Sequence, residues 1–146
     1  NFSLAPVNAG LIGSLSHAGM LPLEARSMVE NGKTLILGLV DEVLNRRRID
    51  RLERYFSPDV VQRDLPPRQP EGLEGVREAI TRAFRAFPVL RVEVVDLLED
   101  GDTVSYRTLI RAVTPAGRRV QLRGYAVDRL SSGRIVEHWE SVTLDP

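Results

Sequence analysis

The sequence predicts an α+β fold: a curved antiparallel sheet forming a cone, with three helices packed on its concave side. Three observations predict it. Apolar residues recur at helical spacing in the first part of the chain, the period changes to two beyond Pro88, and the period-two runs are joined by short turn signals. Strands joined by short turns run antiparallel, and helices that precede such a sheet cover one of its faces.

The chain has 146 residues, the size of one domain with a real core. Residues 1–22 are rich in Gly, Ala, Ser and Pro without steady periodicity and read as an irregular arm, leaving 23–146 as the domain proper. Leu4, Leu11, Ile12 and Leu15 give the arm apolar side chains for packing on the body or on a partner. From Glu24 to Arg47, Met28, Leu35, Ile36, Leu39, Val40, Val43 and Leu44 fall on one stripe and predict a long amphipathic helix, with Asn31-Gly32 as a weak point in its first turns. The basic run Arg46-Arg47-Arg48 reads as its solvated end.

Asp50 is placed to cap a short second helix ending near Phe56, after which Ser57-Pro58-Asp59 turns the chain into the extended run VVQRD. Four prolines between Leu65 and Gly72 mark a loop. Val76, Ile80, Ala83, Phe84 and Phe87 predict a third helix with one buried face, stopped by Pro88. Four strands follow: LRVEVVDLL, TVSYRTLIRAV, RRVQLRGYAVDRL and RIVEHWESVTL. Turn signals at Asp100-Gly101, Pro115-Ala116-Gly117 and Ser131-Ser132-Gly133 separate them.

Composition removes several function classes. Lys plus Arg and Asp plus Glu stand at 20 each, so the formal net charge is zero, and the global attraction on which nucleic-acid or anionic-membrane binding relies is missing. With no cysteine, neither disulfides nor thiolate chemistry arises. The two histidines, His17 and His138, are far apart and do not make a metal-ligand set. No apolar run reaches membrane-spanning length, and the opening residues lack the basic start and apolar core of a signal peptide. The expectation is a cytoplasmic protein without nucleic-acid or membrane partners.

The final strand carries the chemistry. In IVEHWES, alternation puts His138 and Glu140 on one face and Glu137 and Trp139 on the other, so an imidazole and a carboxylate stand about 7 Å apart along one face. On a curled sheet that face lines a cavity. The plain alternative is the polar side of an amphipathic strand. Gln62 and Asp64 alternate on the extended run after Pro58, and Tyr106 and Thr108 share a face of the second long strand, where a phenol could donate to a substrate carbonyl. Arg107, Arg111, Arg123 and Arg129 alternate with apolar residues and read as solvated or paired.

Three phrases in the same order, DEVLNRRRIDRLERYFSPDVV, EGLEGVREAITRAFRAFPVLRVEVVDLLEDGDTV and GRIVEHWE, resemble the SnoaL-like polyketide cyclases of the nuclear-transport-factor-2-like cone fold. The resemblance covers about residues 28–143. It implies a small cofactor-free cyclase or isomerase, of the kind used in antibiotic biosynthesis, that closes a ring in a polyketide-like, hydrophobic small molecule by aldol-type or pericyclic chemistry. It puts the family's acid/base carboxylate at Glu140, where burial against apolar walls would let it exchange a proton near neutral pH. The family's histidine on the preceding strand falls at Ala126, and His138 is the local replacement as helper.

Gln62, Asp64, Tyr106, Thr108 and the Ala126 position are then the expected substrate-binding residues, with no metal and no cofactor. Limonene-epoxide-hydrolase-like relatives need an Arg and an Asp at positions occupied here by Thr108 and Ile110, which makes epoxide opening the runner-up, beside a non-catalytic module for a lipophilic ligand. Relatives of this fold pair through the outer sheet face, so Tyr125, Val127 and Trp139 imply a homodimer, with a core role for Trp139 as the alternative.

Overall fold

The computed structural model describes residues 32–63 and 68–145. The 1–22 arm, His17, residues 24–31 of the first predicted helix and Asp64 lie outside the described residues.

Three helices precede or interrupt the sheet, as the apolar spacing predicts. The first, α1, is α-helical over 32–38 and widens into a π-helix, Leu39–Asn45. It buries Ile36, Leu39, Val40 and Val43. The chain leaves α1 through Arg47 in the left-handed region at φ 58.

Arg47 is not solvated as the basic run suggests. Its guanidinium donates to the Phe87 and Pro88 carbonyls at 2.6 and 2.9 Å and lies 4.6 Å from the Phe84 ring centre. It thereby serves carbonyls left open where the third helix ends. Only Arg46 and Arg48 stay at the surface, paired with Asp41 and Asp50 at 3.2 and 3.1 Å.

A 3-10 helix, α2, runs Ile49–Arg54 and buries Leu52. Asp50 sits inside it and makes no cap bond, because its carboxylate is engaged by Arg48 through two hydrogen bonds of 3.1 Å. The first strand, β1, is Phe56–Gln62, and α3 is Gly72–Ala86. The four long strands are β2 Val89–Asp100, β3 Thr103–Val113, β4 Arg119–Ser131 and β5 Arg134–Leu144.

The sheet order is β1-β5-β4-β3-β2. The four long strands pair antiparallel, as the short turns require. β1 runs parallel to β5, which makes the five-stranded sheet mixed; the intervening helix and three strands give the chain room to return in the same direction. Ile36, Leu39, Val43, Leu52, Leu73 and Val76 from the helices pack on Leu97, Val104, Tyr106, Ala126 and Ile135 from the sheet. This is the α+β cone that the sequence predicts, helices on the concave face.

The register shifts in three of the strand pairs, including β1 against β5 between Phe56 and Val61. The other shifts lie between Val94 and Asp96 on β2, and on β5 opposite Arg129–Leu130, where Leu130 pairs with Ile135 and Arg129 with Glu137. Val136 is the extra residue of a β-bulge, which lets both Ile135 and His138 face inward although their spacing is odd. Ile135 is wholly buried in the core.

Candidate active site

Register places the site. Pairing of Tyr106 with Ala126, of Ala126 with Glu140 and of Asp128 with His138 puts these five side chains on the concave face across β3, β4 and β5. Gln62 pairs with His138 in the parallel register and joins them from β1. The alternation read from IVEHWES therefore holds beyond the bulge. His138 and Glu140 face inward, and Glu137 and Trp139 face out.

A group absent from the predicted set organises the site. Asp128 is wholly buried, its Oδ1 bonded to His138 Nδ1 and its Oδ2 accepting from the Tyr106 hydroxyl at 2.7 Å. A hydrogen bond to a charged acceptor contributes about 1.5–3 kcal/mol, and an unpaired buried carboxylate would be strongly unfavourable. The sequence did carry a signal for it. Gly124, Ala126 and Asp128 occupy one inward-facing parity of β4, and Asp128 is the only charged residue among them.

His138 is held by Asp128 and Phe56. Its side chain is 15% exposed, and its ring meets Phe56 edge-on at 5.9 Å. Burial pushes its pKa down, but the hydrogen bond and charge of Asp128, with the charge of Glu140, outweigh burial and raise it above 6.5. The Tyr106 phenol is pushed well above its ordinary range by burial first, then by the charge of Asp128 and their hydrogen bond. It stays a donor throughout the physiological range.

The other predicted site residues separate. Glu140 is exposed instead of being walled by apolar groups, yet it is close enough for its charge to act on His138 and Tyr106. Tyr106 is buried, and its hydroxyl is committed to Asp128 instead of facing a ligand. Ala126 is a core residue between Tyr106 and Glu140. The Thr108 hydroxyl lies against Gly124, where a Cβ would not fit. Gln62 accepts from Gln69 at 3.3 Å while its own Nε2 is buried without a partner among the described residues, and it lines a depression of about 520 Å³ with Pro58, Val60, Glu71 and Gly72. Neither His138 nor Glu140 lines that depression. Among the described residues no three His, Asp or Glu side chains converge as a metal site would need.

The outer face holds paired charges. Glu137 accepts from Arg129 at 3.0 Å and from Arg63 at 2.6 Å, and these bonds hold its carboxyl below the usual range. Arg107 pairs with Asp96, Arg111 with Glu93 at 3.5 Å and Arg123 with Asp145 at 3.0 Å, as expected for arginines alternating with apolar residues. Arg63 also lies 5.6 Å from the Trp139 ring, which is 38% exposed.

Known proteins agree with this architecture. The SnoaL-like polyketide cyclase family matches residues 34–143. IdmH of Streptomyces antibioticus, a proposed polyketide cyclase, is 27% identical over 75% of this chain and 89% of its own, with a TM-score of 0.66. AclR of Streptomyces galilaeus, a proposed hydroxylase, is 26% identical over 82% and 83%, with a TM-score of 0.68. A SnoaL-like polyketide cyclase of Agrobacterium tumefaciens shares the fold at 23% identity, 75% and 88% coverage and a TM-score of 0.66. No curated protein sequence matches the chain. No helix among the described residues is long and apolar enough to cross a membrane. The match extends from α1 nearly to the end of β5 and so includes the strands that carry the buried Tyr106, Asp128 and His138: the chain belongs to the SnoaL-like polyketide cyclase family.

Proposed function

We propose that the protein closes a ring in a polyketide-like, hydrophobic small molecule by an aldol-type step, using its own acid and base. One observation carries this reading: an aspartate-held imidazole and an exposed carboxylate stand side by side on the concave face of β5. Glu140, as its carboxylate, removes a proton alpha to a carbonyl. His138, as imidazolium, donates from Nε2 to the oxygen that gains charge. The enolate carbon attacks the second carbonyl carbon, a C–C bond forms as the C=O π bond breaks, and the alkoxide takes the His138 proton. The proton on Glu140 returns to His138 through solvent. Both proton-transfer roles come from the chain, so the step needs no cofactor. Epoxide opening lacks its Arg and Asp, because Thr108 and Ile110 stand at those positions.

Glu140→Gln keeps the shape and removes the base. Its turnover is expected to fall about 10²-fold, toward the low end for a positioned base because water reaches an exposed position. Binding of the acyclic substrate is expected to stay unchanged. Product formation followed by chromatography, with affinity by fluorescence titration, checks this. Unchanged turnover would remove base catalysis by Glu140 and leave ring closure by confinement alone; binding without turnover in the wild type would leave a ligand-binding module.

The outer sheet face supports a homodimer. Leu98, Tyr125 and Trp139, 46%, 40% and 38% exposed, stand on it with Val127 between Tyr125 and Trp139 in the register, an apolar surface rimmed by paired charges. Light scattering is expected to give a dimer mass for the wild type and a monomer mass for Trp139→Glu; a monomeric wild type rejects the interface.

A further inference from the structure

The proposed chemistry uses His138 and Glu140 but leaves unexplained why the structure buries a carboxylate and a phenol behind the imidazole. Asp128 has no exposed surface, and its two oxygens meet two different groups, the Tyr106 hydroxyl and His138 Nδ1. The order of protons along this chain of groups follows from their chemistry. A carboxylate only accepts. The Tyr106 hydroxyl is buried and, among the described residues, has one acceptor, Asp128 Oδ2, so its proton points there. Asp128 Oδ1 is left for the imidazole, and Nδ1 must therefore be the donor whether the ring is neutral or charged. The nitrogen left for exchange is Nε2.

We infer that Asp128, braced by the Tyr106 hydroxyl, is a positioning residue that holds His138 as the Nδ1–H tautomer and makes Nε2 the atom at which the site gives up and regains its proton. This deepens the proposed ring closure and rests on it for its catalytic meaning, although the tautomer itself does not. The groups facing the imidazole are Asp128 from β4, Glu140 from β5, and Gln62 and Phe56 from β1. Among the described residues no cation joins them. Asp128 and Glu140 both favour the charged ring, but Asp128 chooses the tautomer, because among the described residues it is the one that bonds a ring nitrogen. The arrangement also gives Tyr106 a role: its hydroxyl keeps the carboxylate from turning away from the ring.

The test is nitrogen NMR on the intact ¹⁵N-labelled protein without substrate. The chain has only two histidines, and His17→Ala assigns their signals. For neutral His138 the wild type is expected to show a protonated Nδ1 and an unprotonated Nε2, with a titration midpoint above 6.5. In Asp128→Asn the midpoint is expected to fall and the tautomer preference to be lost. With substrate, the alkaline limb of the pH–rate profile should move to lower pH by the same amount, and kcat should fall about 10–100-fold, with KM little changed. A wild-type ring protonated at Nε2 when neutral, or a midpoint that does not move in Asp128→Asn, overturns the inference. The wild-type measurement needs no variant to fold. Because the tautomer is read without turnover, it can hold where no ring closure is found, or fail where ring closure is found, so the two proposals fall separately.

Discussion

Replacement of His138 by glutamine is expected to lower ring-closing turnover by about 10²–10⁴-fold, the range for loss of a positioned proton donor. The loss should exceed that for Glu140→Gln. Glu140 stands where water can take its place, whereas His138 is mostly buried against Phe56 and bonded to Asp128. Glutamine can occupy the space but cannot carry a proton to an alkoxide. Single-turnover product formation, measured beside substrate affinity, checks this: affinity should be preserved while the chemical step slows. An undiminished rate with glutamine would assign the proton to some other group.

Asp128→Ala is expected to destabilise the fold by about 3–5 kcal/mol, the usual result of breaking a buried charged pair from one side. It strands the Tyr106 hydroxyl and His138 Nδ1 inside the core. The loss should also depend on pH. Folded His138 binds its proton more tightly than the unfolded chain does, since its pKa is raised above 6.5. That contribution is fully present below pH 6.5 and is lost as pH rises through the folded value. Urea unfolding of wild type and variant should therefore differ most in mildly acidic buffer and less in alkaline buffer. A gap that widens with pH would mean that Asp128 does not stabilise the imidazolium.

Much of this arrangement was legible in the sequence, for definite physical reasons. Periodicity located the three helices and four long strands, because each buries one face of fixed geometry. It also paired His138 with Glu140. What it missed depends on contacts across the fold. Asp128 escapes it because burial of a charge becomes visible only with its partners in place. Arg47 lies in a run that looks solvated, and its role at the end of α3 exists only once α1 and α3 meet. Asp50 looked like a cap, but Arg48 competes successfully for its carboxylate. The bulge at Val136 breaks the simple parity that would set Ile135 with Glu137, and no composition rule marks it. The parallel pairing of β1 with β5 is likewise a consequence of long-range topology, since parallel neighbours need no short turn between them.

The far edge of the sheet carries one more consequence. β2 is an edge strand, and an edge strand offers unpaired amides and carbonyls to any extended chain that meets it. At Val92 both groups are already taken: Asn45 at the end of α1 accepts from the Val92 amide at 2.7 Å and donates to its carbonyl at 2.9 Å. A side-chain amide here imitates the backbone of a neighbouring strand, one residue long. It satisfies the border where a further strand would start to zip on, and the flanking Arg91 and Glu93 side chains are exposed and charged. Self-association by strand addition is thereby discouraged along β2.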